Sequence, residues 1–564
     1  MKPSTSQSRL AHVLILTALV LLTALPGLSS IPAIDRDEAR YAQATVQMIE
    51  SGDPIDIRFQ DAPRWKKPAG AYWAQAVSVT LFGGPEARAI WKHRLPSVLA
   101  ALIAVLATYW AGRRLVGREA AFIGAALFAV SLGLVYEAHA AKTDALLVAS
   151  TTICFGALAH IRHNPLETQK TASLLFWMGL GAGVMLKGPI APMIVVLAII
   201  ALMIWERRAG WAKPLLFWPG PILFLLIVLP WTVLIWQKTD GAFFTTAFSE
   251  DLAPKMTGGQ EKHGGLPGYH LFSVLVMFFP AIVLLPAGIA YAIRALRSDA
   301  GNYTPLKRAM RLIICWVVPF WIVLEITPTK LPHYGLPLYP ALALLCGTAG
   351  ALLLQIKEFP VTRIIGGLLY GILGLALTAG TVFAHSFYRS GSDVDFIAMS
   401  LGIFICLFFL VAAVLFFKRH RHMVKAIIGS GAALMMMVFG YLMPGLEKFY
   451  VSENVAAMMN ERGIKTPLDR DMNLRSPHFT EASLVYALGT QIKLGGDFGA
   501  DNLAEVKMGE YLLLDIMRRP QIDIAGSGIC FDTIGSVEGY NYAKGDELIL
   551  TLLRRRDCPD ISPQ

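Results

Sequence analysis

The sequence predicts a polytopic α-helical membrane protein with a small α/β domain at its C-terminal end. Three observations carry this. First, 55% of the 564 residues are hydrophobic and only 16% are charged, against roughly 25% charged in a typical soluble domain; mean hydropathy is +0.52. Second, apolar runs such as AHVLILTALVLLTALPGL and VVLAIIALMIW exceed what a soluble core helix needs. Third, the composition changes from about Leu446 onward, where mixed helix and strand patterns replace the apolar runs.

The first run, Ala11–Ile31, carries Lys2 and Arg9 on its N-terminal flank, as a signal peptide would. It is about 20 residues long and many spans follow, so it reads as a retained first helix. The further spans fall near 93–112, 119–138, 145–161, 173–186, 189–205, 214–236, 270–293, 312–326, 335–355, 364–384, 396–417 and 424–443. That makes about 13 helices. The pair 173–186 and 189–205 is the hardest to separate, with only KGP (Lys187–Pro189) between them.

Loops rich in Lys and Arg fall on alternate sides: Gly112–Arg118, Arg162–Lys170, Glu206–Lys213, Arg294–Arg311, Lys357–Arg363 and Lys418–Lys425. They place the N-terminus in the cytoplasm, and an odd span count puts the C-terminal tail outside. Merging the KGP pair would leave the downstream basic loops outside. The net charge of +10 is therefore explained by topology, not by nucleic acid. Residues 1–445 form the transmembrane domain, with a first outer loop at 33–91, and 446–564 form the extracytoplasmic domain. In that domain Tyr511–Ile516 and Glu547–Leu553 read as buried strands. Cys154, Cys315, Cys346 and Cys406 lie in or near apolar spans, and no cysteine has metal-ligand spacing. Cys530 and Cys558 are either a disulfide or two independent thiols.

With this topology the unusual residues gather in the outer loops. Ionisable groups at a membrane edge are costly to desolvate and suggest a site. AIDRDEARYAQATVQMIESGD (Ala33–Asp53) sets Asp37, Glu38 and Arg40 just after the first span, on a segment with helical spacing that could lie flat on the membrane. The plain reading is an amphipathic connector. The functional one is a carboxylate aimed into a cavity as base or charge stabiliser. PRWKKPAGAYW (Pro63–Trp73) holds Lys66 and Lys67 among aromatics, either as an interfacial anchor or as a lipid-phosphate contact. Asp144 opens a helix and is either an N-cap residue or a second site carboxylate. GQEKHGG offers Glu261 and His263, a closing loop or a weak metal candidate, since two ligands fall short of the usual three or four. TKLPHYGLPLYP places Lys330, His333 and Tyr334 at the outer end of a span, again as anchors or as site residues.

DEARYAQATVQMIESGD followed by RWKKPAGAYW resembles the polyprenyl-phosphate-sugar-dependent glycosyltransferases of the GT-C class, closest to the bacterial lipid A aminoarabinose transferases and their protein O-mannosyltransferase relatives. The similarity continues in order through TDALLV, LKGPIAP, GQEKHGGLPGYH and TKLPHYGLPLYP, over about residues 10–345. The resemblance implies a GT-C-like fold and catalytic roles for Asp37 and Asp144, with Glu38 beside them. It also implies a lipid-phosphate site built from Arg40, Lys67 and Tyr334, with Lys330 and Lys187 nearby. The doubled lysine in WKKP and the extra Asp35 and Arg36 depart from the aminoarabinose pattern and leave the sugar open.

The implied activity is inverting transfer of aminoarabinose, or a related pentose, hexose or uronic sugar, from a polyprenyl phosphate to lipid A or another envelope acceptor. Membrane lipids are the other partners, and nucleic acid is not expected. The implied location is the outer face of a bacterial inner membrane, with a periplasmic C-terminal domain. No cofactor is firmly implied; a divalent metal stays open. The alternative within the class is a protein O-mannosyltransferase. The alternative outside it is a lipid or sugar transporter, which would want midplane charges and internal repeats; the sequence has neither.

Overall fold

The computed structural model describes residues 5–33, 36–86, 88–163, 170–258, 264–299, 301, 304–353, 360–391, 393–469, 471–495, 503, 505–517 and 529–558. Among these residues nine helices are long and apolar enough to cross a membrane. Two bent pairs, Arg118–Ala129 with Leu132–Ala138 and Tyr269–Met277 with Ala281–Arg297, raise the number to as many as eleven. The sequence reading of about 13 spans exceeds this at the pair it found hardest to separate. Lys170–Lys187 carries a lysine at each end, which lowers its hydropathy. Ile190–Glu206 has 17 residues, a length of about 25 Å against a hydrocarbon core of about 30 Å. Both form helices, but neither meets the length and hydropathy expected of a full span.

One helix of the first loop decides where the site lies. Arg36–Ser51 starts with Asp37 and Glu38 in its first turn, where carboxylates complement the helix dipole. Instead of lying flat on a membrane surface, it is buried on both faces. Tyr41, Ala44 and Met48 pack with Ala69, Tyr72, Met185 and Trp231 on the membrane-domain side. Ala39, Ala42 and Val46 pack with Ala482 and Tyr486 of the C-terminal domain. The segment is a wedge between two bodies, because alternate apolar stripes leave neither face for lipid.

The C-terminal domain is a five-stranded mixed sheet in the order Lys493–Leu494, Leu474–Ser476, Tyr511–Asp515, Asp546–Arg556, Cys530–Asn541. The first three strands run parallel and the last two pair antiparallel. Val455 and Met459 of the helix Val451–Glu461 pack on one face of the sheet against Leu513, Leu550 and Leu552. Both strands read from the sequence are present, and Cys530 and Cys558 form a disulfide.

Candidate active site

Arg94, fully buried near the start of the helix Ile90–Leu115, is the hub on which the first loop hangs. Its Nε and Nη2 donate to the two Glu38 carboxylate oxygens at 2.8 and 2.9 Å. The remaining donors close the end of the first span by reaching the carbonyls of Leu28, Ile31 and Pro32 at 2.9, 2.6 and 3.0 Å. Glu38 also accepts from the Ala141 N–H at 2.8 Å. A buried arginine needs this much compensation, and the guanidinium fork supplies it in one geometry. Glu38 is thus occupied on both oxygens and fixes positions; it does not face an incoming substrate.

Asp37, its neighbour, points the other way. It leaves 58% of its side chain exposed, with Arg40 at 3.9 Å and Arg64 at 4.0 Å. Arg64 donates to the Tyr72 hydroxyl at 2.8 Å and lies over the Tyr41 ring. Burial lifts the Tyr41 hydroxyl well above its usual range, with the charges of Arg64, Asp37 and Asp144 within reach.

Asp144 forms the opposite wall. It accepts from Lys187 at 2.6 Å, and His333 Nε2 lies 3.8 Å from the same oxygen. His333 Nδ1 is 3.8 Å from Glu137, which Lys142 approaches at 3.4 Å. Lys187 sits over the Tyr334 ring. Glu137, Asp144 and His333 present one ligand atom each within 4.8 Å, the spacing a metal ion would use. Each carboxylate already carries an ammonium, however, so the donor set is neutralised by the protein itself. Glu261 and His263 lie outside the described residues.

Lys67 donates to Asp251, whose other oxygen is held by Lys255 at 2.7 Å. Burial draws the Lys67 ammonium down to about 8 against the pull of Asp251, with Lys255 and Lys187 adding repulsion. Asp251 is kept below the usual carboxylate range because the two lysines outweigh its burial. Lys330 is elsewhere: its ammonium caps the helix Pro305–Ile326 by donating to the carbonyls of Leu324 and Glu325 at 2.6 and 2.7 Å. It is a helix cap and not directed at the cluster.

The structure thus brings Asp37, Arg40, Lys67, Asp144, Lys187 and Tyr334 to one face, and holds Glu38 and Lys330 in the framework. Sequence reasoning missed Arg64, Arg94, Glu137, Lys142, Asp251 and Lys255 as site or framework residues. Glu137 and Lys142 stand with Asp144 in one short stretch, EAHAAKTD (Glu137–Asp144), and could have been taken with it. Asp251 and Lys255 lie in short helical turns between two spans, in a stretch with no motif to mark them.

Known proteins resemble this chain in sequence and in fold. The profile of the dolichyl-phosphate-mannose-protein mannosyltransferase family matches residues 66–236. The undecaprenyl phosphate-alpha-4-amino-4-deoxy-L-arabinose arabinosyl transferase of Erwinia tasmaniensis is 28% identical over 320 residues, 56% of this chain and 55% of that protein. A second such transferase, from Pseudomonas fluorescens, is 27% identical over 62% of this chain and 61% of its own length. The chain therefore spans between half and two thirds of the curated relatives it matches. Among solved structures, ArnT from Cupriavidus metallidurans bound to undecaprenyl phosphate superposes with a TM-score of 0.72 at 17% identity, covering 97% of this chain and 98% of that one. The Archaeoglobus fulgidus oligosaccharyltransferase gives 0.53 at 12% identity, over 90% of this chain and 69% of its own. The resemblance carried by the motif series is met in sequence by the aminoarabinose arabinosyl transferases and in fold by ArnT, a multi-pass membrane architecture that this chain shares along almost its whole length.

Proposed function

We propose that the protein is a membrane glycosyltransferase that moves a sugar, aminoarabinose in the first instance, from undecaprenyl phosphate to lipid A. One observation carries the reading. Asp37 leaves most of its side chain exposed with Arg40 and Arg64 beside it, while Lys67 and Lys187 are held by two other carboxylates, Asp251 and Asp144. That is what breaking a sugar–phosphate bond beside a membrane demands. The bond from the anomeric carbon to the carrier phosphate breaks, and the leaving phosphate takes the electron pair. Arg40 and Lys67 are the cations that neutralise its growing charge. An acceptor oxygen attacks the opposite face of the carbon, so the anomeric centre inverts. If that oxygen belongs to a hydroxyl, Asp37 takes its proton; if it belongs to a phosphate, no proton needs removal and Asp37 orients the sugar.

The same reading puts the site at the outer face of the inner membrane, the N-terminus inside and the sheet domain outside. The alternating basic loops support this. So does the Cys530–Cys558 disulfide, since such bonds persist in oxidising compartments. The family profile over 66–236 keeps transfer of mannose to exported protein as the second reading. Mass spectrometry of lipid A and of total glycoprotein, with and without the gene, separates the two. A pentosamine-sized loss on lipid A is expected; unchanged lipid A with lost protein glycans selects the second reading, and no change in either refutes both.

A further inference from the structure

A second group of cations lies at the end of the bundle opposite the charged face. Arg113 and Arg114 stand in the last turn of the helix Ile90–Leu115, and Arg118 opens the helix Arg118–Ala129. Arg9 lies near the start of the first helix, Thr5–Ala24. The buried Tyr109 sits at their centre. Arg113 lies over its ring, its hydroxyl meets His12 Nδ1 at 2.9 Å, and Arg9, Arg113 and Arg118 are all within electrostatic reach of it. Arg118 donates to Ser8 Oγ at 2.7 Å, which fixes the guanidinium without neutralising it. The Arg113 Nε–H is buried and meets no acceptor among the described residues. None of the four arginines forms an ion pair with a carboxylate among those residues, and the adjacent Glu119 is exposed. At the same end of the bundle Arg162 and Arg311 share Glu206, which Arg162 grips at 3.0 and 2.8 Å and Arg311 approaches at 3.7 Å. There the fold brings its own anion to its arginines. Around Tyr109 it does not, and like charges crowded at a membrane edge call for an anion from outside.

The first helix supplies the rest of a lipid site. Leu10 and Leu14, one turn apart and beginning beside Arg9, are 61% and 59% exposed. They belong to a helix long and apolar enough to cross a membrane. An apolar track therefore leads from the arginines into the bilayer, which a free phosphate has no use for and an acyl chain does. We infer that Arg9, Arg113 and Arg118 hold the phosphodiester of an anionic phospholipid whose chains lie along Leu10 and Leu14. The guanidinium fork matches phosphate oxygens, and the Arg113 Nε–H gains an acceptor. The site rests on neither the donor nor the acceptor proposed above, because it stands at the other end of the same spans. The lipid joins the foot of the first helix to its two neighbours. Arg94 holds the head of that segment through the carbonyls of Leu28 and Ile31, so the span that leads to Asp37 is fastened at both ends.

The test titrates the purified full-length protein in detergent with phosphatidylglycerol, and with phosphatidylcholine of the same chains as the neutral reference. Phosphatidylglycerol is expected to bind roughly tenfold more tightly. Arg113→Gln with Arg118→Gln should weaken its binding by about fivefold for each charge lost, and leave phosphatidylcholine unchanged. Arg207→Gln with Lys213→Gln is the control, since these two exposed cations lie on another loop at the same end; a change of less than about twofold is expected, as for exposed charges in general. Equal losses in the two pairs would assign binding to the basic face as a whole, and equal affinity for the two lipids would remove the anionic headgroup. Either result overturns the inference. Should the first pair not fold, Arg118→Gln decides alone, because its exposed side chain gives up a single bond to Ser8; an unchanged affinity there also overturns it. Glycerol 3-phosphate carries the same phosphate without the chains. Failure to displace the lipid at millimolar concentration supports the acyl track, and displacement with an affinity equal to that of the lipid would make this a small-phosphate site and overturn the inference.

Discussion

Asp37 and Glu38 are adjacent carboxylates with opposite fates. Glu38 is consumed by Arg94 and the Ala141 N–H, while Asp37 keeps most of its surface open. Asp37→Asn preserves the shape and the helix start but removes the charge. Turnover should fall by about 10²- to 10⁴-fold, the range for loss of a catalytic acid or base, with carrier affinity little changed. Near-normal turnover in purified, folded protein would remove Asp37 from the mechanism. Lys67 gives a pH prediction. Its ammonium is pulled down to about 8, chiefly by burial. Below that pH it is charged and can hold a phosphate; above it the charge is lost. Affinity for undecaprenyl phosphate should therefore drop as pH rises through 8. Lys67→Arg should flatten the drop, because a guanidinium stays charged throughout. Titration of affinity from pH 6.5 to 9.5 checks this, and an identical drop in both proteins places the titrating group elsewhere. Lys66→Ala should cost less than Lys67→Ala in the same assay, since only Lys67 meets Asp251.

The helix Arg36–Ser51 shows how one element sets the geometry of two others. Glu38 ties it to Arg94, and through Ala141 to the turn that presents Asp144. Arg94 acts only through these partners and is a positioning residue. Arg94→Lys keeps the charge but loses the fork that holds Glu38 and three carbonyls at once. A shift of about 1 Å between reacting groups lowers rate on the order of a hundredfold. The expected outcome is a kcat lowered to that extent with undecaprenyl phosphate affinity within about threefold, since the lysines proposed to hold phosphate lie on other elements. Equal losses in kcat and affinity would mean general disruption and reject the positioning role. This element also marks where sequence reading stops. Its helical period and acidic start were legible, and so were the long spans, because hydropathy and length are properties of a single segment. Its burial on both faces was not, because Ala482 and Tyr486 lie more than four hundred positions away in the chain. Arg94 was hidden for the same reason: a charge beside Lys92 and His93 at the head of an apolar helix reads as an interfacial anchor. Asp37, Lys67 and Asp144 were legible through motif order; Asp251 and Lys255 had no such signal.

At the scale of the molecule, the C-terminal sheet domain is fastened to the same loop that carries the site. Arg36 pairs with Glu481 at 2.8 Å, and Gln43 donates to Thr490 at 2.8 Å. Arg88 donates to the Tyr486 carbonyl at 2.9 Å, and the Tyr486 hydroxyl returns a bond to the Arg88 carbonyl at 2.7 Å. The domain and the first loop must therefore share one side of the membrane, and the position of the domain reports the position of the chemistry. Ser536 is an exposed residue on the long strand Cys530–Asn541. Ser536→Cys introduces a thiol there without disturbing the Cys530–Cys558 bond, which does not react with maleimides. The other cysteines, Cys154, Cys315, Cys346 and Cys406, are buried or half-buried. A membrane-impermeant maleimide added to cells with a permeable outer barrier and an intact inner membrane should label Ser536→Cys and leave the parent protein unlabelled. Labelling that waits for rupture of the inner membrane would put the domain, the first loop and the charged face in the cytoplasm. The donor would then have to be used on the inner leaflet, and both the topology and the proposed acceptor on the outer face would fall together.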